Sequence, residues 1–183
     1  MQPDPDPRIV VTDNALTLPV FDQINDFIHS QHFLWRWGNV LEYETADVNK
    51  YEINCSKGDN HQLYMDILNT NMGIYNTELI HMVTPVFEKV NVAAPIRVKV
   101  NCLTCSPSGK HITHGYHIDN PYKSSKTSIL YLDDSNGYTE FQHNKQKVHS
   151  QPNRLVTFPT PLYHSGTSPT DQMRRMVINF NYF

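Results

Sequence analysis

The chain is short of charge, of glycine and of cysteine. Charged residues make up 18% of its 183 positions, below the ~25% usual in soluble domains. Lys and Arg total 15 against 18 Asp and Glu, a formal net charge of -3. There is therefore no basic excess of the kind that holds nucleic-acid backbones without reading sequence. Three cysteines, Cys55, Cys102 and Cys105, are too few and of the wrong parity for a disulfide framework. No apolar run approaches the ~20 residues that span a bilayer. The opening MQPDPDPRIV has acids where a secretion signal needs bases, and no apolar stretch. The expectation is a cytoplasmic protein with neither a membrane nor a nucleic-acid partner.

What is present points to a folded domain. Hydrophobic residues reach 39% and aromatics 11%, whereas disordered chains are poor in both. The missing charge is replaced by neutral polar residues, seventeen of them Asn, and there are ten histidines. No internal repeat, low-complexity tract or boundary divides the chain, so residues 1–183 are read as one domain.

Arg8-Ile-Val-Val-Thr12 is β-branched and reads as a strand. Val20, Ile24, Phe27 and Ile28 follow at helical spacing. Thr77 to Val90 carries a second apolar helical face, with Pro85 inside it to kink or split the helix. Between them, Tyr43 to Tyr75 is polar and rich in turn signals such as SKGDNHQ and NTNMG. It reads as a long excursion with room for short strands, one that touches substrate together with the loop Tyr122–Lys126. From Ile96 onward strand follows strand: 96–102, 116–118, 127–132, 138–142, 154–158 and 176–182. Many short strands with turn-rich links predict an antiparallel sandwich or barrel, with the two leading helices packed on one outer face.

The richest chemistry lies in His111-Ile-Thr-His114-Gly-Tyr-His117-Ile-Asp119-Asn-Pro121. On a strand, residues two apart face the same way, so His117 and Asp119 converge on one point as metal ligands must. A third ligand is available from His164, which follows the 154–158 strand. Two histidines and one carboxylate on one face of an octahedron form the non-haem Fe(II) site, with three positions left for other ligands. Ten residues on is Arg174. A strand beginning there places Arg174, Met176, Ile178 and Phe180 on one face, read as the inward one. An arginine on an apolar inward face needs an anion, and the distal end of a dicarboxylate suits its fork. Arg175 takes that place if the register is displaced by one.

These residues resemble the iron- and 2-oxoglutarate-dependent dioxygenases, most of all the prolyl-4-hydroxylase-like branch. Arg8–Leu16 looks like that branch's opening strand. Thr127-Ser-Ile-Leu-Tyr131-Leu132-Asp133 resembles its "YLN" strand, and Asn136-Gly-Tyr-Thr139-Glu-Phe141 its "GGeTxF" hairpin. Asn153–Phe158 resembles the strand before the distal histidine, and His117-Ile-Asp119-Asn-Pro121 the "HxDNP" of the oxygen-sensing prolyl hydroxylases. The resemblance spans nearly the whole chain, most strongly from Ile96.

It implies a double-stranded β-helix, a cupin-like jelly roll. It implies a hydroxylase that uses Fe(II), O2 and 2-oxoglutarate to oxidise a substrate C–H bond, releasing succinate and CO2. The metal ligands are then His117, Asp119 and His164, with no catalytic side chain beyond the metal centre. Arg174 would pair with the C5 carboxylate of 2-oxoglutarate. Tyr131 is read as facing away, which leaves Leu130 and Ser128 toward the cosubstrate. The substrate is a small molecule or peptide, a prolyl side chain being the first guess. Two alternatives remain open: a cupin-like metal isomerase with no use for 2-oxoglutarate, and a jelly-roll binding module without activity.

His111 and His114 read as solvent or substrate-loop residues. Cys102-Leu-Thr-Cys105 is half of a zinc motif with no second half; on a strand its thiols face opposite ways.

Overall fold

Alternating burial along paired strands organises this chain. A computed structural model describes residues 4–40 and 59–183. Its strands are β1 (Val10–Thr12), β2 (Arg36–Gly38), β3 (Gln62–Asn69), β4 (Gly73–Ile74), β5 (Pro95–Thr104), β6 (Lys126–Tyr131), β7 (Tyr138–Phe141), β8 (Lys147–His149), β9 (Leu155–Pro159), β10 (His164–Gly166) and β11 (Arg174–Tyr182). The helices are α1 (Leu18–His29), α2 (Thr77–Met82) and α3 (Thr84–Val90).

A large sheet runs β1-β9-β6-β11-β5-β3-β2, with β4 paired to β3. A smaller one runs β10-β7-β8, continued by isolated bridges Thr113↔Thr167 and His117↔His164. The strand pairs are antiparallel. The result is the expected mainly β, double-stranded β-helix with supporting helices.

The large sheet is buried on both faces. From its outer face Met176, Ile178, Phe180 and Leu130 join one apolar cluster with Phe21, Ile24 and Ile28 of α1 and Leu79, Val83 and Val86 of the helical pair. From its inner face Ile129, Tyr131 and Val177 join a second cluster with Phe141, Val148 and Phe158. One strand thus feeds two cores by side-chain alternation.

The helices form where the sequence caps them. Pro19 stands in the first turn of α1, where a missing N–H costs nothing. The Asn76 side chain accepts the Leu79 amide at 2.8 Å to start α2. The Thr77–Val90 pattern divides at Val83, because Pro85 has no amide to continue α2 and opens α3 instead. Asn91 ends α3 in the left-handed region at φ 52°. Among the described residues no helix is long and apolar enough to cross a membrane.

Two stretches differ from the expectation. Residues 62–69, read as part of a polar excursion, form β3, paired with β5 over six positions; a register shift between Asp66 and Leu68 spoils the clean alternation by which such a strand is recognised. Residues 43–58 of that excursion, Cys55 among them, lie outside the described residues. Residues 116–118 make a single bridge rather than a strand.

Asn153 joins the two ends of the described chain. Its side chain accepts the Leu16 amide at 2.9 Å and donates to the Leu16 carbonyl at 2.8 Å. Its backbone sits at φ 60°, a conformation that asparagine tolerates better than most residues. The approach to α1 is thereby fixed against the start of β9.

Candidate metal centre and its cavity

The antiparallel bridge between residues 117 and 164 exchanges both backbone hydrogen bonds at 3.0 Å. It sets the two imidazoles side by side, ring centres 4.8 Å apart. Asp119 comes to the same point, and the ligand atoms of His117, Asp119 and His164 all lie within 4.8 Å of one another. They form the one three-residue group of this kind among the described residues. His117 Nε2 is 3.9 Å from Asp119 Oδ1, and His164 Nε2 is 3.7 Å from Oδ2. These separations are too long for hydrogen bonds and leave room for an ion between the groups.

Each histidine is held in the tautomer that a metal requires. His117 Nδ1 lies 3.2 Å from the Gly115 carbonyl, and His164 Nδ1 lies 3.1 Å from the Leu162 carbonyl. A carbonyl only accepts, so Nδ1 carries the proton and Nε2 turns a lone pair into the site. Gly115 adopts φ 94°, a conformation open to glycine. Phe158 packs edge-on against His164 with centres 4.8 Å apart and fixes that ring. Burial, then the neighbouring His164, pushes His117 down to about 4, so it is a neutral ligand at pH 7.

Asp119 is 3% exposed. Burial alone would raise its carboxyl; His164, Arg97, His117 and the Thr127 hydroxyl outweigh that and hold it well below the ordinary range. Thr127 Oγ1 and Asn181 Nδ2 donate to Oδ2 at 3.0 and 3.1 Å, and Asn179 Nδ2 donates to Oδ1 at 3.2 Å. Arg97 Nη2 reaches Oδ1 only at 3.5 Å. Two imidazoles that turn Nε2 to one point and an oriented carboxylate are the donor set of a divalent transition-metal site.

The triad opens into a cavity of about 190 Å³ between the sheets. Arg175 also lines it and is only 3% exposed. Its Nε donates to Ser150 Oγ at 2.7 Å and its Nη2 to Thr139 Oγ1 at 3.0 Å. Among the described residues no carboxylate lies within ion-pair distance of it. Tyr131 Oη also donates to Thr139 Oγ1, at 2.8 Å, and the Arg175 guanidinium lies over the Tyr131 ring at 5.3 Å. Thr139 therefore accepts twice and keeps its own proton to donate. Gly137 makes space for this arrangement: a Cβ there would meet Arg175 Cδ at 2.5 Å and the Thr167 carbonyl at 3.2 Å.

The cosubstrate residues expected from sequence are displaced by one register. Arg174 is exposed and lines a shallow depression on the helix side, with His29, Trp35 and Cys102. Leu130 sits in the helix-side core. Ser128 Oγ bonds Thr157 Oγ1 at 2.7 Å and Tyr182 Oη at 2.9 Å. The cavity takes Arg175, Ile129 and Thr139 instead. The apolar face of β11 was read as inward, but it packs on α1, while the barrel interior is the polar side.

Also unforeseen were Arg97, Lys99, Asn101, Asn179 and Asn181. All but Asn181 line the cavity. Two strands repeating polar residues at alternate positions, Arg97-Lys99-Asn101 and Asn179-Asn181, were the available signal. Lys99 is pulled down to about 8, first by burial and then by Arg97, with Asp66 and Asp119 opposing.

His111 and His114 stay outside the metal group. His111 Nδ1 rests on the Ser168 carbonyl at 2.8 Å. His114, expected toward solvent, is 2% exposed. Cys102 is buried, and burial pushes its thiol up to about 11.

No protein-family model and no curated protein matches the sequence. Solved structures do match. A Trichoplax adhaerens prolyl hydroxylase, in complex with a hypoxia-inducible-factor oxygen degradation domain peptide fragment, superposes with a TM-score of 0.57 at 17% identity, covering 96% of this chain and 83% of that one. A 2OG-Fe(II) oxygenase family oxidoreductase from Burkholderia pseudomallei gives 0.60 at 11%, covering 96% and 85%. The viral collagen prolyl hydroxylase of Paramecium Bursaria Chlorella virus-1 gives 0.55 at 15%, covering 95% of each chain. The chain therefore has the double-stranded β-helix fold of the Fe(II)- and 2-oxoglutarate-dependent oxygenases, prolyl hydroxylases among them.

Proposed function

We propose that this protein, as a single domain over residues 1–183, is an Fe(II)- and 2-oxoglutarate-dependent hydroxylase. One observation carries the reading: a two-histidine, one-carboxylate cluster shares its cavity with a buried arginine that has no carboxylate partner among the described residues. A metal isomerase would need the cluster but would have no use for the arginine.

His117, Asp119 and His164 would hold Fe(II) through two Nε2 atoms and the carboxylate. When bound, the iron couples O2 to the oxidative decarboxylation of 2-oxoglutarate and to hydroxylation of a substrate C–H bond. One oxygen atom enters succinate and the other enters the product, with CO2 released. The side chains do the positioning. Arg175, in place of Arg174, pairs with the C5 carboxylate, and the free proton of Thr139 donates beside it. Tyr131 supports both from beneath. Asn179, Asn181 and Thr127 keep the Asp119 carboxylate turned to the metal. The partner is a small molecule or peptide, and prolyl side chains are the first class to try, given the prolyl hydroxylases among the structural neighbours.

The test is formation of succinate from 2-oxoglutarate by the iron-loaded protein in air, followed by proton NMR. Slow turnover without added substrate that is lost in His164→Ala supports the reading. Metal binding without any succinate refutes it.

A further inference from the structure

Arg97 and Lys99 stand two residues apart on β5 and line the same cavity as the triad. Among the described residues neither has a close counter-ion. Arg97 meets Asp119 only at 3.5 Å, and its Nε is buried without a hydrogen-bond partner. Lys99 Nζ lies over the Tyr64 ring at 4.5 Å. Asp66, opposite Lys99 on β3, is beyond ion-pair distance among the described residues. Half-buried cations that face a cavity without a close counter-ion favour an anion there.

The charges of the cavity lining point to where that anion comes from. Among the described residues, the lining holds three cations, Arg97, Lys99 and Arg175, and one carboxylate, Asp119. On the function proposed above, a divalent metal and a dianionic cosubstrate cancel each other. Asp119 offsets one of the three cations, which leaves two positive charges on the β5 side. Arg175 is occupied by the cosubstrate, so Arg97 and Lys99 face the remaining space.

We propose that the substrate carries a carboxylate, that Arg97 and Lys99 bind it, and that the oxidised C–H lies within a few bonds of it. Arg97 contacts the metal-binding carboxylate itself, so an anion on this pair brings its neighbouring carbons to the metal. A small amino, imino or cyclic carboxylic acid supplies one negative charge for Arg97 and Lys99 to share. A prolyl residue in mid-chain, whose carbonyl is a neutral amide, leaves the two charges unmatched.

The test uses the iron- and 2-oxoglutarate-loaded protein under anaerobic conditions. L-proline and cyclopentanecarboxylate are titrated by calorimetry against their amides and against N-acetyl-L-proline methylamide, a mid-chain mimic. The acids are expected to bind at least about tenfold more tightly than the amides, the scale of a charge-assisted contact. Lys99→Met and Arg97→Met should each abolish that preference, and Arg175→Met should not. Equal binding of acids and amides, binding of the mid-chain mimic alone, or binding of none of the probes overturns the proposal. So does an acid preference that survives both β5 variants. Repeating the wild-type titration without metal or cosubstrate separates the two readings: an acid preference that depends on Lys99, in a protein that forms no iron–2-oxoglutarate complex, keeps the anion site and discards the hydroxylase.

Discussion

Replacing Arg175 by methionine separates the cosubstrate anchor from every other role of β11. Methionine keeps much of the packing over Tyr131 and removes the charge. Arg175 is 3% exposed and has two neutral hydroxyl partners, Ser150 and Thr139. Its removal therefore costs the fold little: burial of the charge is relieved, and Ser150 Oγ loses a partner, worth about 1 kcal/mol. Binding of 2-oxoglutarate is another matter. Truncating one side of a buried, hydrogen-bonded charge pair costs about 2–5 kcal/mol, or roughly thirtyfold to several thousandfold in affinity. Arg174→Met is the control, because that side chain is exposed on the helix side. The assay is anaerobic titration of the Fe(II)-loaded protein with 2-oxoglutarate, alongside thermal melts. The expected result is a melting temperature within a few degrees of wild type for both variants, and weakened cosubstrate binding for Arg175→Met alone. Weakened binding in Arg174→Met with none in Arg175→Met refutes the register argument. No effect in either refutes the anchor itself.

Three other substitutions test neighbouring parts of the account. Gly137→Ala places a methyl 2.5 Å from Arg175 Cδ; displacing the guanidinium is expected to raise the 2-oxoglutarate requirement about ten- to a hundredfold in steady-state kinetics. Asn153→Ala loses both hydrogen bonds to Leu16 and leaves alanine at φ 60°, for a loss of about 2–4 kcal/mol in urea denaturation; Asn153→Gly should recover part of it. Asp133 has its carboxyl pushed up to about 6, chiefly by burial, and its Oδ1 lacks a partner. Its protonated form is the one the fold favours, so this residue's contribution is greatest below pH ~4 and is lost as pH rises through 6. Asp133→Asn, which can still accept the Met176 amide, should stabilise the protein at pH 8 by roughly 2 kcal/mol and change little at pH 4.

The candidate metal residues were legible because their signal is local. His117 and Asp119 sit at the strand period, and His164 follows a strand of strong β propensity. The anchor was not legible from periodicity alone, since Arg175 through Tyr182 is buried on both faces. A doubly buried strand reads as apolar on whichever face meets the larger core, here the one against α1. The same displacement exchanged Leu130 and Ser128 for Ile129 and Tyr131. Strand β10 was invisible for another reason: His164-Ser165-Gly166 has little β propensity and is defined by its pairing with β7. Strand β3 was hidden by turn-rich flanks and its own register shift. The helices were easier, because Pro19 marks the start of α1 and Pro85 the division between α2 and α3.

The central claim is that His117, Asp119 and His164 hold one iron that 2-oxoglutarate chelates. Its most direct test is anaerobic addition of Fe(II) and then 2-oxoglutarate to the metal-free protein, watching for the visible metal-to-ligand charge-transfer band. The account predicts a band that saturates at one iron per chain and is absent from His164→Ala. Iron binding with no band, or a band that persists in His164→Ala, would contradict it.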